Sequence, residues 1–131
     1  MIFRYSITTP ANTAATAKVK TTLRIAHGII TQLDVQFPSG PQGLLHLQIN
    51  NSLHQIFPYN TDEDFASDSV LISFREHIPH LIEPFELQAY TWNLDDTYDH
   101  IVIIRIGILP VYVAAPWLLS FDERIHSILG G

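Results

Sequence analysis

Asp95, Asp96, Asp99 and His100 fall within six consecutive residues of the stretch YTWNLDDTYDHIVIIRI. Carboxylate oxygens and imidazole nitrogens are side-chain groups that bind divalent cations and move protons. A calcium loop spaces its oxygens as D-x-D-x-D-G with a terminal glutamate. Here the order from Asn93 is N-x-D-D-x-x-D, with neither the glycine nor the glutamate. Aspartate and asparagine are equally at home in turns, because they bond their own backbone and tolerate left-handed conformations. The spacing favours a polar loop over a cation site. A second group, His77 and His80, reads H-x-x-H with Glu76 and Glu83 close by. Zinc needs three or four ligands, and this spacing supplies no third. Pro79 and Pro84 make a bent connection carrying surface histidines the simpler reading. A third group is aromatic. Tyr90 and Trp92 share the parity of Glu86 and Gln88 along an alternating segment. Exposed, they form a platform for a carbohydrate or other ligand; covered, they are packing residues, the commoner fate of such rings.

Other chemistries find no footing. There is no cysteine, so thiol catalysis, thiolate metal sites and disulfides are excluded. No G-x-S-x-G elbow and no G-x-x-x-x-G-K phosphate loop occurs. Paired carboxylates of the glycosidase kind stay open, although the acidic residues fall mostly in loops. The expectation is a protein that is not an enzyme, with no catalytic residues, no resident metal and no cofactor.

These residues must be positioned by strands. In KVKTTLRIA, Val19, Thr21, Leu23 and Ile25 alternate with Lys18, Lys20, Thr22 and Arg24. Such period-two patterning marks a half-buried strand. IITQLDVQF alternates again, with Leu33, Val35 and Phe37 inward, and His27-Gly28 between the two reads as a hairpin turn. PSGPQG is turn chemistry throughout. LLHLQIN, residues 53–57, residues 70–74 and FELQAYTW supply further strands, while REHIPHLIEP reads as irregular between its prolines. HIVIIRIGIL is nearly continuous in β-branched residues and is expected to be central and covered on both faces. Strands recurring about every ten residues, with turns between, predict an all-β antiparallel sandwich, jelly-roll-like in preference to immunoglobulin-like.

Two ends are set apart from this core. Residues 1–17 read as an extended arm, 18–115 as the sandwich and 116–131 as a helical segment. In the last, Ser120 and Glu123 match a capping box, and Phe121, Ile125, Ile128 and Leu129 share one helical face. The chain of 131 residues is long enough for one domain with its own core. Only 15% of residues are charged, which suits a surface covered by Thr, Gln and Asn and broad contact with partners. Net charge is −6, yet no acidic residue precedes Asp34, while Arg4, Lys18, Lys20 and Arg24 do. A basic start and an acidic middle suit contact with a neighbouring copy better than with nucleic acid. No secretory leader and no membrane-length apolar run is visible, so a cytoplasmic location is expected on these grounds and a membrane partner is not.

Taken together, GIITQLDVQFPSG from Gly28, HQIFPYN from His54, PFELQAYTWNLDD from Pro84 and the closing HIVIIRI have a recognisable style. Over residues 18–109 the chain resembles the small β-sandwich structural proteins of tailed bacteriophages and related virus-like particles. Those decorate or cement a capsid or act as adaptors on the virion. The resemblance implies a virion location, a homo-oligomer and a larger protein assembly as partners. It carries over no functional residue. The candidate interface is taken from the ends of the chain: Arg4, Lys18, Lys20, Trp117, Phe121 and Ile125.

Overall fold

The computed structural model describes residues 1–114 and Trp117. The strands are β1 (Ile2–Thr9), β2 (Val19–Arg24), β3 (Gly28–Phe37), β4 (Leu45–Asn51), β5 (His54–Phe57), β6 (Phe65–Ala66), β7 (Val70–His80), β8 (Glu86–Asn93) and β9 (His100–Leu109). A one-turn helix, α1 (Val111–Ala114), follows them. They form two antiparallel sheets. Sheet A has the order β1-β9-β3-β7, and sheet B the order β2-β8-β4-β5, with β6 also pairing β4. Every connection between successive long strands crosses from one sheet to the other, except β4 to β5. Two four-stranded paths related this way are the jelly roll, so the expected sandwich and its preferred topology are both observed.

The core lies between the sheets. Leu23, Leu33, Val35, Phe37, Leu45, Leu47, Ile49, Leu87, Ala89, Val102, Ile104 and Ile106 are fully buried there. They are the inward halves of the alternating segments, so period-two patterning alone chose them. Each large aliphatic side chain so buried contributes about 1.5–3 kcal/mol.

Four expectations are corrected. The segments on either side of His27-Gly28 are not a hairpin. β2 lies in sheet B and β3 in sheet A, so the turn passes between sheets. Gly28 is needed there for close approach, since a Cβ would stand 2.6 Å from the Leu109 carbonyl oxygen. The stretch REHIPH is not irregular, because β7 runs on through it to His80. Pro79 is tolerated because β7 is an edge strand, where a missing N–H removes no central ladder bond. β9 is central, between β1 and β3, but among the described residues it is not covered on both faces; its outward residues Ile101 and Leu109 are exposed.

Residues 1–17 are extended, yet they do not stand apart from the sandwich. Ile2–Thr9 pair with β9 over their whole length, from Ile2 opposite Gly107 to Thr9 opposite His100. Ile7 joins the core. An alternating FRYSIT sequence with Phe3, Tyr5 and Ile7 on one side is itself a half-buried strand. At the other end, α1 folds over sheet A, where Val111 covers the outward side of Ile29 in β3. The capped segment beginning at Ser120, with Phe121 and Ile125, lies outside the described residues.

Candidate functional site

Four loops meet at one end of the sandwich: residues 10–18, 38–44, 58–69 and 94–99. The Asp95–His100 cluster is one of them, and its groups are turned on its own backbone. Asp95 Oδ1 accepts the Thr97 and Tyr98 amides, at 2.9 and 3.2 Å. Its Oδ2 lies 2.7 Å from His100 Nε2. The Thr97 amide, then the His100 imidazole and then the Tyr98 amide hold the Asp95 carboxyl below the ordinary aspartate range. Asn93 closes the loop from the other side, donating to Thr9 O and Tyr98 O and accepting from the Asp95 amide.

Asp99 ties this loop to the 10–18 loop, and Asp68 ties two of the other loops together. Asp99 Oδ1 accepts the Ala11 amide, and the backbones of Asn12 and Thr13 bond to Asp95 and Asn93. Asp68 Oδ1 accepts the Gln42 and Gly40 amides at 3.0 and 2.7 Å, which lowers its pKa. Among the described residues no group of three or more His, Asp and Glu converges as a metal site would require. The cluster is a set of carboxylates closing turns at the mouth of an apolar sandwich.

His77 and His80 do not converge either. Three residues apart on a strand, they point to opposite faces. His80 is buried with its Nε2 3.0 Å from Pro84 O. His77 is outward and stacks on Trp117 at 6.1 Å between ring centroids.

The outward face of sheet B carries Tyr90 and Trp92, and here the aromatic platform is covered. Trp92 is only 5% exposed. His46, opposite it on β4, stacks parallel at 5.0 Å, and Lys18 Nζ sits 4.8 Å above the indole. His46 Nδ1 in turn bonds Asp64 Oδ1 at 2.6 Å. Lys18 donates to Gln48 Oε1 at 3.0 Å, and Gln48 donates to Glu63 O at 2.8 Å. Gln88 accepts the Ser52 amide. Sequence parity placed Tyr90 and Trp92 outward correctly. It did not show that His46 and Lys18 close over the indole, since neither is near Trp92 in sequence. Tyr90 stays half-buried between Lys20 and Gln48 in the register.

The outward face of sheet A is arranged differently. Aligned residues Arg4, Arg105, Asp34 and Ser73 form a charged and polar row across all four strands. Ser73 Oγ donates to Asp34 Oδ1 at 2.6 Å, and Arg105 donates to Gln36 Oε1 at 3.0 Å. Apolar side chains flank this row. Ile2 (78% exposed) and Leu109 lie on one side, and Ile101 (43%) and Leu71 (53%) on the other. Sequence reading had assigned only Arg4 of these to an interface. For Ile101, Arg105 and Leu109 the signal is the alternating parity within IVIIRIGIL, which a nearly continuous apolar run masks.

Of the candidate interface residues, Arg4, Lys18 and Lys20 are exposed, and Trp117 is outward beside His77. Lys18, just before β2, also reaches Gln48 and Trp92 of its own chain. At the open side between β5 and β7, a cleft is lined by Asn51, His54, Ile56, Tyr59, Glu76 and Ile78. It holds an imidazole, a phenol and a carboxylate over an isoleucine floor, with no serine or threonine nucleophile among its lining residues. Among the described residues no helix is long and apolar enough to cross a membrane.

The chain is thus a two-sheet jelly-roll sandwich with a packed apolar core. It matches no protein-family model and no curated protein sequence.

Proposed function

We infer that this protein is a non-enzymatic assembly module whose work is to bind other protein subunits, its own copies first. The observation that carries this reading is the outward face of sheet A, with Ile2, Leu71, Ile101 and Leu109 exposed around a charged row. Exposed apolar side chains rimmed by polar ones are the usual composition of protein-binding surfaces. The other candidates are weaker on physical grounds. The acidic loop has its carboxylates bonded to backbone amides, and the indole that a sugar would stack on lies under Lys18. A decoration or cement role on a virion, with a capsid as the larger partner, follows from the sequence resemblance and fits a small sandwich that works by bridging neighbours.

Sedimentation velocity on the purified chain over a concentration series tests the reading. A defined homo-oligomer is expected. A chain that stays monomeric at every concentration overturns it.

A further inference from the structure

The sandwich has four sheet edges, and three carry features that discourage pairing. β5 is four residues long and irregular in register against β4. β2 is six residues long, carries Lys20 and Arg24 outward, and begins just after Lys18. β7 contains Pro79 and a register shift against β3. Short length, cations, proline and bulges are the devices that keep edges from adding a foreign strand. β1 has none but Arg4. It is eight residues long, pairs without a register break, and contains no proline or lysine.

The edge is also held in place. The Met1 nitrogen donates to Ile108 O at 2.7 Å, and the Ile108 amide donates back to Met1 O at 2.8 Å. In the middle, the Tyr5 hydroxyl donates to Arg24 O on β2. At the far end Ala11 is bonded to Asp99. β1 is therefore a preformed template.

The Met1–Ile108 exchange fixes which way the remaining groups face. Antiparallel partners alternate between hydrogen-bonded and non-bonded pairs. Phe3, Tyr5, Ile7 and Thr9 then bond β9, and the amide and carbonyl of Ile2, Arg4, Ser6 and Thr8 point to the free edge. Their side chains are the exposed ones. These four residues are complementary to themselves in one antiparallel register, Ile2 opposite Thr8 and Arg4 opposite Ser6 of a second copy. That register uses every free group on the edge. It sets Tyr5 against its own counterpart on the inner side and keeps the two arginines apart. Centring the pair on Arg4 would instead oppose like charges.

We propose that two copies of this chain join through β1 in that register, making one continuous sheet from the two copies of sheet A. The pairing deepens the assembly reading and rests on it. It names the partner as a second copy and aligns the two exposed faces of sheet A side by side.

The register is tested at Ser6, whose amide bonds nothing in its own sheet. Ser6→Lys places a cation opposite Arg4 twice by symmetry and is expected to weaken dimerisation about tenfold. Ser6→Glu should strengthen it, and Ser6→Pro should abolish it; in all three the melting temperature of the sandwich stays near that of the parent. The chain has no cysteine, so a mixture of Arg4→Cys and Ser6→Cys chains should oxidise to a crosslinked heterodimer, while neither alone crosslinks. Sedimentation velocity and non-reducing electrophoresis read these outcomes. An oligomer indifferent to all three Ser6 substitutions overturns the β1 pairing alone and leaves the assembly reading in place. A parent chain monomeric at every concentration overturns both.

Discussion

The two sheets treat their outward faces in opposite ways. Sheet B closes its face upon itself. Trp92 and Gln48 are buried there, beneath Lys18, His46 and the loop that carries Glu63 and Asp64, and Gln88 is buried against the Ser52 amide. Sheet A leaves isoleucine and leucine in water on either side of Arg4, Arg105 and Asp34. Both faces belong to strands with the same alternating pattern, so alternation does not distinguish them. The difference comes from what crosses each sheet. The 58–69 loop supplies polar partners to sheet B, whereas among the described residues sheet A is met by α1 at Ile29 and by Trp117 at His77, away from the charged row. A face satisfied within the chain contributes to folding; a face left apolar is available for binding.

This contrast can be broken by mutation. Trp92→Ala removes a large buried side chain from sheet B and should cost about 3–5 kcal/mol in denaturant unfolding. If Trp92 were instead an exposed platform, the loss would be near zero. Lys18→Ala deletes the cation above the indole and the bond to Gln48, and should cost about 1 kcal/mol. The same measurement on Lys20→Ala, whose side chain is exposed, should show almost no change.

The loop end supplies a pH-dependent contrast. The folded pKa of Asp95 is depressed, so its contribution is present above the ordinary aspartate value of about 3.9 and is lost as pH falls through the depressed value. Thermal melts of Asp95→Asn and the parent should differ at neutral pH and converge in acid. A gap that stays constant with pH would sink the assignment. The smallest effect is expected on sheet A. Ile101→Thr should change the stability of the monomer by less than about 0.5 kcal/mol. Its consequence should appear in association instead, as a weaker oligomer in sedimentation. A large loss of monomer stability would mean that the face is covered and that the two sheets are alike after all.

Much of the fold was legible in the residues. Leu23, Leu33, Val35, Leu45, Leu47 and Leu87 are buried where period two placed them, because a strand has only two faces and the core takes the apolar one. The turn chemistry of Asn93 to Asp99 was legible too, since aspartates next to strand ends bond local amides whatever the rest of the chain does. Neighbours in sequence were a poor guide to neighbours in space. The segments flanking Gly28 looked like a hairpin and lie in opposite sheets, because a jelly roll crosses between sheets at almost every turn. β7 looked broken at Pro79 and is continuous, because only position in the sheet decides whether an absent N–H matters. Residues 1–17 looked detached, because the partner of β1 lies about a hundred positions away.

By itself, then, the amino-acid sequence determined strands, inward residues and local turns, all of which depend on interactions within a few residues. Tertiary structure alone decided that Lys18 and His46 close over Trp92 and, among the described residues, that β9 exposes Ile101 and Leu109 on its outward face and that β1 ends sheet A. These depend on which strands become neighbours. Strand order is set by the packing of the whole sandwich, and no local pattern encodes it.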